Sequence, residues 1–106
     1  MDSQRSARLG AEAARITAWL VEHGATLVVA FGSFARGTVQ RRSDLDMIAV
    51  MDSELPFIKR LVWIYENIGA EVGLDLLVYT PAEFEEVKHR ALIRTALTEG
   101  RALHAA

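Results

Sequence analysis

Acidic residues stand inside segments that otherwise read as protein core, and this restricts the fold of the chain more than any other feature of its sequence. Asp44 and Asp46 open an apolar run that continues to Met51, and Asp75 lies in the middle of a second run, residues 71–79. Both runs are too short for a buried helix, which makes them β-strands. Side chains on a strand alternate between faces, so Asp44 and Asp46 share one face while Leu45 and Met47 take the other. In the second run Val72, Leu74, Leu76 and Val78 share a face, and Asp75 falls on the opposite one with Glu71, Gly73 and Leu77. A carboxylate is almost never buried without a partner. Acids are therefore expected on the inside of a packed sheet, together with a counter-charge.

The rest of the chain supplies layers around such a sheet. Leu9, Ala13, Ile16 and Leu20 recur at spacings of four, three and four, one face of an amphipathic helix over residues 6–22 that His23 and Gly24 stop. Residues 26–31 are apolar and β-branched between two glycines and predict a buried strand. Residues 32–43 break every period and predict a loop that could hold a helical turn. Ser53 is placed to cap a second helix over residues 54–68, carrying Phe57, Ile58, Leu61, Val62, Tyr65 and Ile68, with Gly69 as terminator. Thr80, Pro81 and Glu83 have the spacing of a capping box with proline at the first helical position, so a third helix starts at Pro81. It either continues to Glu99 or breaks near residues 89–91, where the apolar spacing loses phase. Gly100 ends it, and residues 101–104 could add an edge strand.

Length and composition set the class. At 106 residues the chain is expected to be one α/β domain, residues 1–106, because a second would lack room for its own core. Hydrophobic residues at 51% and charged residues at 25% are the proportions of a globular protein and exclude a disordered or fibrous one. No stretch approaches the roughly 18 apolar residues of a membrane span, and Asp2, Arg5, Arg8, Glu12 and Arg15 interrupt any signal sequence. With no cysteine there is neither a disulfide nor a thiolate metal site, and a cytoplasmic protein is expected. A net charge of -2 argues against direct binding of nucleic acid, which needs a surplus of Lys and Arg on one face.

The chemistry lies in the spacing of a few residues. Gly32 and Ser33 follow the first strand, and ten residues separate Ser33 from Asp44. Two carboxylates two positions apart on a strand have Cα atoms roughly 6.5–7 Å apart, where they repel each other and resist desolvation. A cation resolves the conflict, and oxygen ligands without His or Cys favour a hard ion such as Mg²⁺. A third carboxylate from a neighbouring strand, for which Asp75 is the candidate, would allow two ions about 3.5–4 Å apart, the arrangement that clamps attacking and leaving oxygens in phosphoryl-type transfer. Gly32 lets a triphosphate approach the backbone, exposed N–H groups and the Ser33 hydroxyl can donate to phosphate oxygens, and Arg36 can neutralise charge. Given average residue usage, Gly-Ser and Asp-x-Asp at this spacing arise by chance on the order of once in a thousand such chains.

The stretch from Gly32-Ser33-Phe34-Ala35-Arg36-Gly37 through Ser43-Asp44-Leu45-Asp46 resembles the minimal nucleotidyltransferase domains of the DNA polymerase β-like superfamily, whose hallmark is Gly-Ser, ten residues, then Asp-x-Asp. Gly73-Leu74-Asp75-Leu76-Leu77-Val78 is similar to the strand that carries that family's third acid, and residues 79–84 to its usual continuation. The resemblance implies a small mixed β-sheet with helices packed on one side. It also implies ATP and two Mg²⁺ ions at Asp44, Asp46 and Asp75, with phosphate bound by Gly32 and Ser33. Larger relatives add a domain for the acceptor, which this sequence does not contain. Minimal domains of this kind are similar to antitoxins of two-gene modules whose partners are all-helical HEPN proteins, and some of these attach AMP to a partner tyrosine.

The expected function is thus Mg²⁺-dependent transfer of AMP from ATP to a hydroxyl, a tyrosine foremost, of a HEPN-type partner encoded nearby. Two other readings stand beside it: a subunit of a small-molecule nucleotidyltransferase similar to the aminoglycoside enzymes, and a catalytically idle antitoxin that neutralises by binding. Arg41 and Arg42 read as solvated surface, and His23, His89 and His104 share no ligand spacing. Trp63 and Tyr65 read as core packing, although residues 57–65 hold more apolar side chains than one helix face can bury. Such a surface suits a homodimer or a hetero-oligomer.

Overall fold

Leu9, Ala13, Ile16 and Leu20 form the buried side of a helix, α1 (Ser3–Glu22), in the computed structural model, which describes residues 2–106. α1 begins three residues before the expected start because the Asp2 carboxylate accepts from the Arg5 N–H at 2.8 Å and caps it. The chain continues through β1 (Leu27–Phe31), α2 (Gly32–Arg36), β2 (Leu45–Val50), α3 (Phe57–Ile68), β3 (Leu74–Tyr79), α4 (Pro81–Val87), α5 (Ala91–Glu99) and β4 (Arg101–Ala105). The expected loop at residues 32–43 therefore contains a short helix, and the sheet is completed by the edge strand suggested after Gly100.

The sheet is mixed, in the order β3-β2-β1-β4. β1 runs antiparallel to β2 and β4, and β2 runs parallel to β3. One face packs against α1 and α3, through Leu9, Ile16, Leu20, Ile64 and Ile68 over Val28, Met47, Ala49, Leu76 and Val78. The opposite face is also covered: Ile48 packs with Val87 of α4 and with Ile93 and Ala96 of α5. The expectation of helices on one side only is corrected here. Met47, Ile48 and Ala49 are successive residues and all are fully buried, the pattern of a strand covered on both faces.

α3 departs from its expected start. Ser53 does not cap it; the cap position is Pro56, and the Ser53 hydroxyl accepts from the Leu55 N–H instead. A residue before proline is pushed out of the helical region, so Leu55 cannot belong to the helix and α3 waits until Phe57. Its end is as expected, with Gly69 in the left-handed conformation at φ +59°. The capping box at Thr80 and Glu83 is present in full. The open question after it resolves as a break: α4 ends at Val87, and Arg90 takes an extended conformation to start α5.

Polar side chains fasten the segments that lead into the strands. Glu12 is buried, accepts from Arg15 Nε at 2.6 Å and Nη2 at 3.0 Å, and also accepts from the Glu71 N–H at 2.6 Å. Arg15 reaches on to the Ile68 and Gly69 carbonyls, and Arg8 reaches the Glu71 carbonyl. Arg5 donates through Nε to the Ser43 carbonyl at 2.9 Å. α1 thus holds the approaches to both acid-bearing strands. No helix among the described residues is long and apolar enough to cross a membrane.

Candidate functional site

β2 and β3 begin at the end of the sheet where β1 finishes, and this brings the sequence-predicted residues to one rim. In the register of the sheet Asp46 lies between Phe31 of β1 and Asp75 of β3. Gly32 follows Phe31 directly, so the start of α2 stands beside the Asp46 carboxylate. The fit is close: a Cβ on Gly32 would overlap Oδ2 of Asp46, and Gly32 has φ +71°, which a side chain would strain. At Gly73 the same test meets Oδ1 of Asp44. Both glycines therefore make room for carboxylates.

The acids are less buried than expected. The Asp44 side chain is 52% exposed, Asp46 is half-buried and Asp75 is exposed. Asp44 precedes β2, and Asp75 belongs to an edge strand, so both look out over the end of the sheet instead of into its core. Asp46 alone is substantially desolvated. Burial pushes its carboxyl up to about 6, the charge of Asp75 and a hydrogen bond with it add to the effect, Asp44 adds further, and Arg36 opposes them. Arg36 is exposed in the last turn of α2, near enough for its charge to act on Asp46. Ser33 lies in the first turn of α2, where backbone N–H groups lack intrahelical acceptors.

Asp46 and Asp75 are thus brought together, and Asp44 approaches from the start of β2 with Arg5 Nη2 3.9 Å from its Oδ1. Among the described residues no three His, Cys, Asp or Glu side chains converge as they stand on a single ion position. The donor chemistry nonetheless fits a hard divalent cation: the ligands are carboxylate oxygens only, and burial and the neighbouring acids disfavour the charge of Asp46 until a cation balances it. Arg41 and Arg42 are exposed in the loop before β2.

Sequence reasoning missed two contributors. Arg5 is one, since nothing in its surroundings marks it as a partner of the Asp44 segment. Tyr65 is the other: its hydroxyl donates to the Leu74 carbonyl at 3.0 Å and accepts from the Leu76 N–H at 2.7 Å, on either side of Asp75. The apolar surplus of residues 57–65 was legible, and Ile58 and Val62 are exposed; the reading of Trp63 and Tyr65 as core packing is corrected, since both are exposed as well.

The family model described as a nucleotidyltransferase domain matches residues 12–103. Among curated proteins none matches significantly. A crystal structure of a candidate nucleotidyltransferase from Sulfolobus solfataricus superposes with a TM-score of 0.60 at 24% identity, covering 80% of this chain and 78% of that one. A toxin–antitoxin complex with AMP-PNP contains a chain that superposes with a TM-score of 0.62 at 21% identity, covering 88% of this chain and 73% of that one. At these identities both share the fold.

Proposed function

Because the chain belongs to the nucleotidyltransferase domain family, we propose that it moves AMP from ATP to a hydroxyl of a partner protein, a tyrosine of an all-helical HEPN-type toxin, and so acts as an antitoxin. The observation that carries the transfer chemistry is the pairing of Asp46 with Asp75 across β2 and β3, with the Gly32 backbone seated against Asp46. The antitoxin role draws on the likeness to a chain of a toxin–antitoxin complex with AMP-PNP and on the apolar surface left exposed on α3.

Asp44, Asp46 and Asp75 would hold two Mg²⁺ ions, which when bound supply charge neutralisation for the triphosphate and the departing pyrophosphate. The α2 N–H groups and the Ser33 hydroxyl donate to phosphate oxygens, and Arg36 balances their charge. The acceptor oxygen bonds to the α-phosphorus, the bond from that phosphorus to the bridging oxygen breaks, and pyrophosphate leaves. Asp75, more open to solvent than Asp46, takes the acceptor proton. Positioning of the acceptor falls to the partner, and such proximity can supply roughly 7–11 kcal/mol of the barrier.

The test is to purify the helical protein encoded beside this one, incubate the two with Mg-ATP and weigh the neighbour by mass spectrometry. A gain of AMP units that disappears with Asp46→Asn is expected. Tight binding and inhibition of the neighbour by both forms without any mass gain would replace transfer by neutralisation through contact.

A further inference from the structure

We propose that Tyr65 is a positioning residue for Asp75, its hydroxyl standing in for the strand that β3 lacks on its outer side; this rests on the reading of Asp75 as a metal-holding acid. β3 is an edge of the sheet, and the backbone groups of an edge strand that point away from its neighbour have no ladder partner. In β3 those groups belong to Leu74, Leu76 and Val78. α3 meets them with two side chains. Arg60, itself buried, donates from Nη1 to the Val78 carbonyl at 2.8 Å. Tyr65 donates to the Leu74 carbonyl and accepts from the Leu76 N–H, so one oxygen brackets the single residue between them, Asp75.

The bracket is placed where the site needs it. Asp75 must meet Asp46 across the sheet, and it is the second residue of a strand with a neighbour on one side only. Outer backbone groups left without a partner on such an edge lower the cost of opening it locally. Contacts that orient a metal-holding carboxylate change affinity typically by about 10–100-fold when removed. The hydroxyl is kept as a donor: burial raises its pKa, the Leu76 N–H opposes this, and the Asp75 charge raises it again. The hydroxyl oxygen makes both bonds, so a phenylalanine would keep the ring and lose the bracket.

The experiment compares the full-length wild type, Tyr65→Phe and Ile64→Val, the last a change in the same helix's core packing against β3 that removes none of the hydrogen bonds between α3 and β3. Free Mn²⁺ is titrated with each protein in the absence of nucleotide and counted by electron paramagnetic resonance, and exchange of the Leu76 amide is followed alongside. Tyr65→Phe should weaken Mn²⁺ binding roughly 10-fold or more and speed Leu76 exchange, while Ile64→Val keeps wild-type affinity even where it lowers the melting temperature. Equal Mn²⁺ affinity in wild type and Tyr65→Phe overturns the positioning role. An equal loss in Ile64→Val also overturns it, since the effect would then be general loosening. Absence of Mn²⁺ binding in the wild type itself would overturn the metal reading of Asp75 and this role with it.

Discussion

At the scale of single residues, Asp46 carries a carboxyl group whose charged form the fold disfavours. Its carboxyl is raised from 3.8 to about 6, first by burial and then by Asp75. A raised carboxyl weighs against the folded state when ionised, so the cost is fully present above about 6 and disappears as pH falls toward 3.8. Glu12 and Glu83 have the opposite sign. Each is lowered from its usual 4.5, chiefly by a hydrogen bond from Arg15 or Arg60, so their contribution is present above 4.5 and lost as pH falls through their lowered values. The metal-free protein should therefore gain melting temperature from pH 7 toward pH 5 and lose it again at lower pH; Asp46→Asn should remove the gain. At pH 7 that variant should be more stable than wild type by about 1 kcal/mol, the shift being discounted for the solvent that reaches the half-buried group, in urea unfolding, yet inactive in transfer. Gly32→Ala combines a positive φ with an overlap at Asp46 and should cost more than about 1 kcal/mol while abolishing nucleotide binding. The placement of Gly32, Ser33, Asp44, Asp46 and Asp75 was legible because a strand's alternation and the length of a loop fix which side chains can meet. Their exposure was not, because alternation assigns a face and says nothing of how far that face extends past the covering helices. The Tyr65 bracket was hidden for a related reason: a hydroxyl's partner across β3 has no trace in the spacing of α3.

At the scale of elements, local signals that carry their own hydrogen bonds were the reliable ones. The apolar face of α1, the Thr80 capping box and the Gly69 terminator all appear where the residues place them, since each is satisfied within a few positions of chain. Ser53 failed as a cap because Pro56 constrains Leu55 more strongly than a serine hydroxyl attracts a helix start. The second helical layer escaped notice because Ile48, Leu77 and Tyr79 look like ordinary strand residues until α4 and α5 are seen to cover them. α3 and α4 are joined through Arg60, which donates to Glu83 at 2.7 Å and to the Val78 and Leu55 carbonyls. Arg60→Leu strands two carbonyls and the Glu83 carboxylate and should cost about 3 kcal/mol, whereas Glu83→Gln leaves Arg60 its carbonyl partners and should cost about 1 kcal/mol. Equal losses in chemical denaturation would mean that the ion pair alone joins the two helices.

At the scale of the whole molecule, a sheet covered on both faces delivers four elements to one rim: the end of β1, the start of α2 and the first residues of β2 and β3. Crowded carboxylates there make the ligand-free protein less stable than its packing allows, and a metal-bound nucleotide is the ligand that would relieve them. The most direct test of this site is the melting temperature of the wild type and of Asp46→Asn with Mg-ATP, with ATP alone and with neither. A ligand that binds only the folded state stabilises it by about 2.7 kcal/mol at one hundred times its dissociation constant. The wild type should rise by several degrees with Mg-ATP and far less with ATP alone, and Asp46→Asn should lose the Mg-ATP response. A wild type that melts unchanged in millimolar Mg-ATP, or an Asp46→Asn variant that responds just as strongly, would contradict the account.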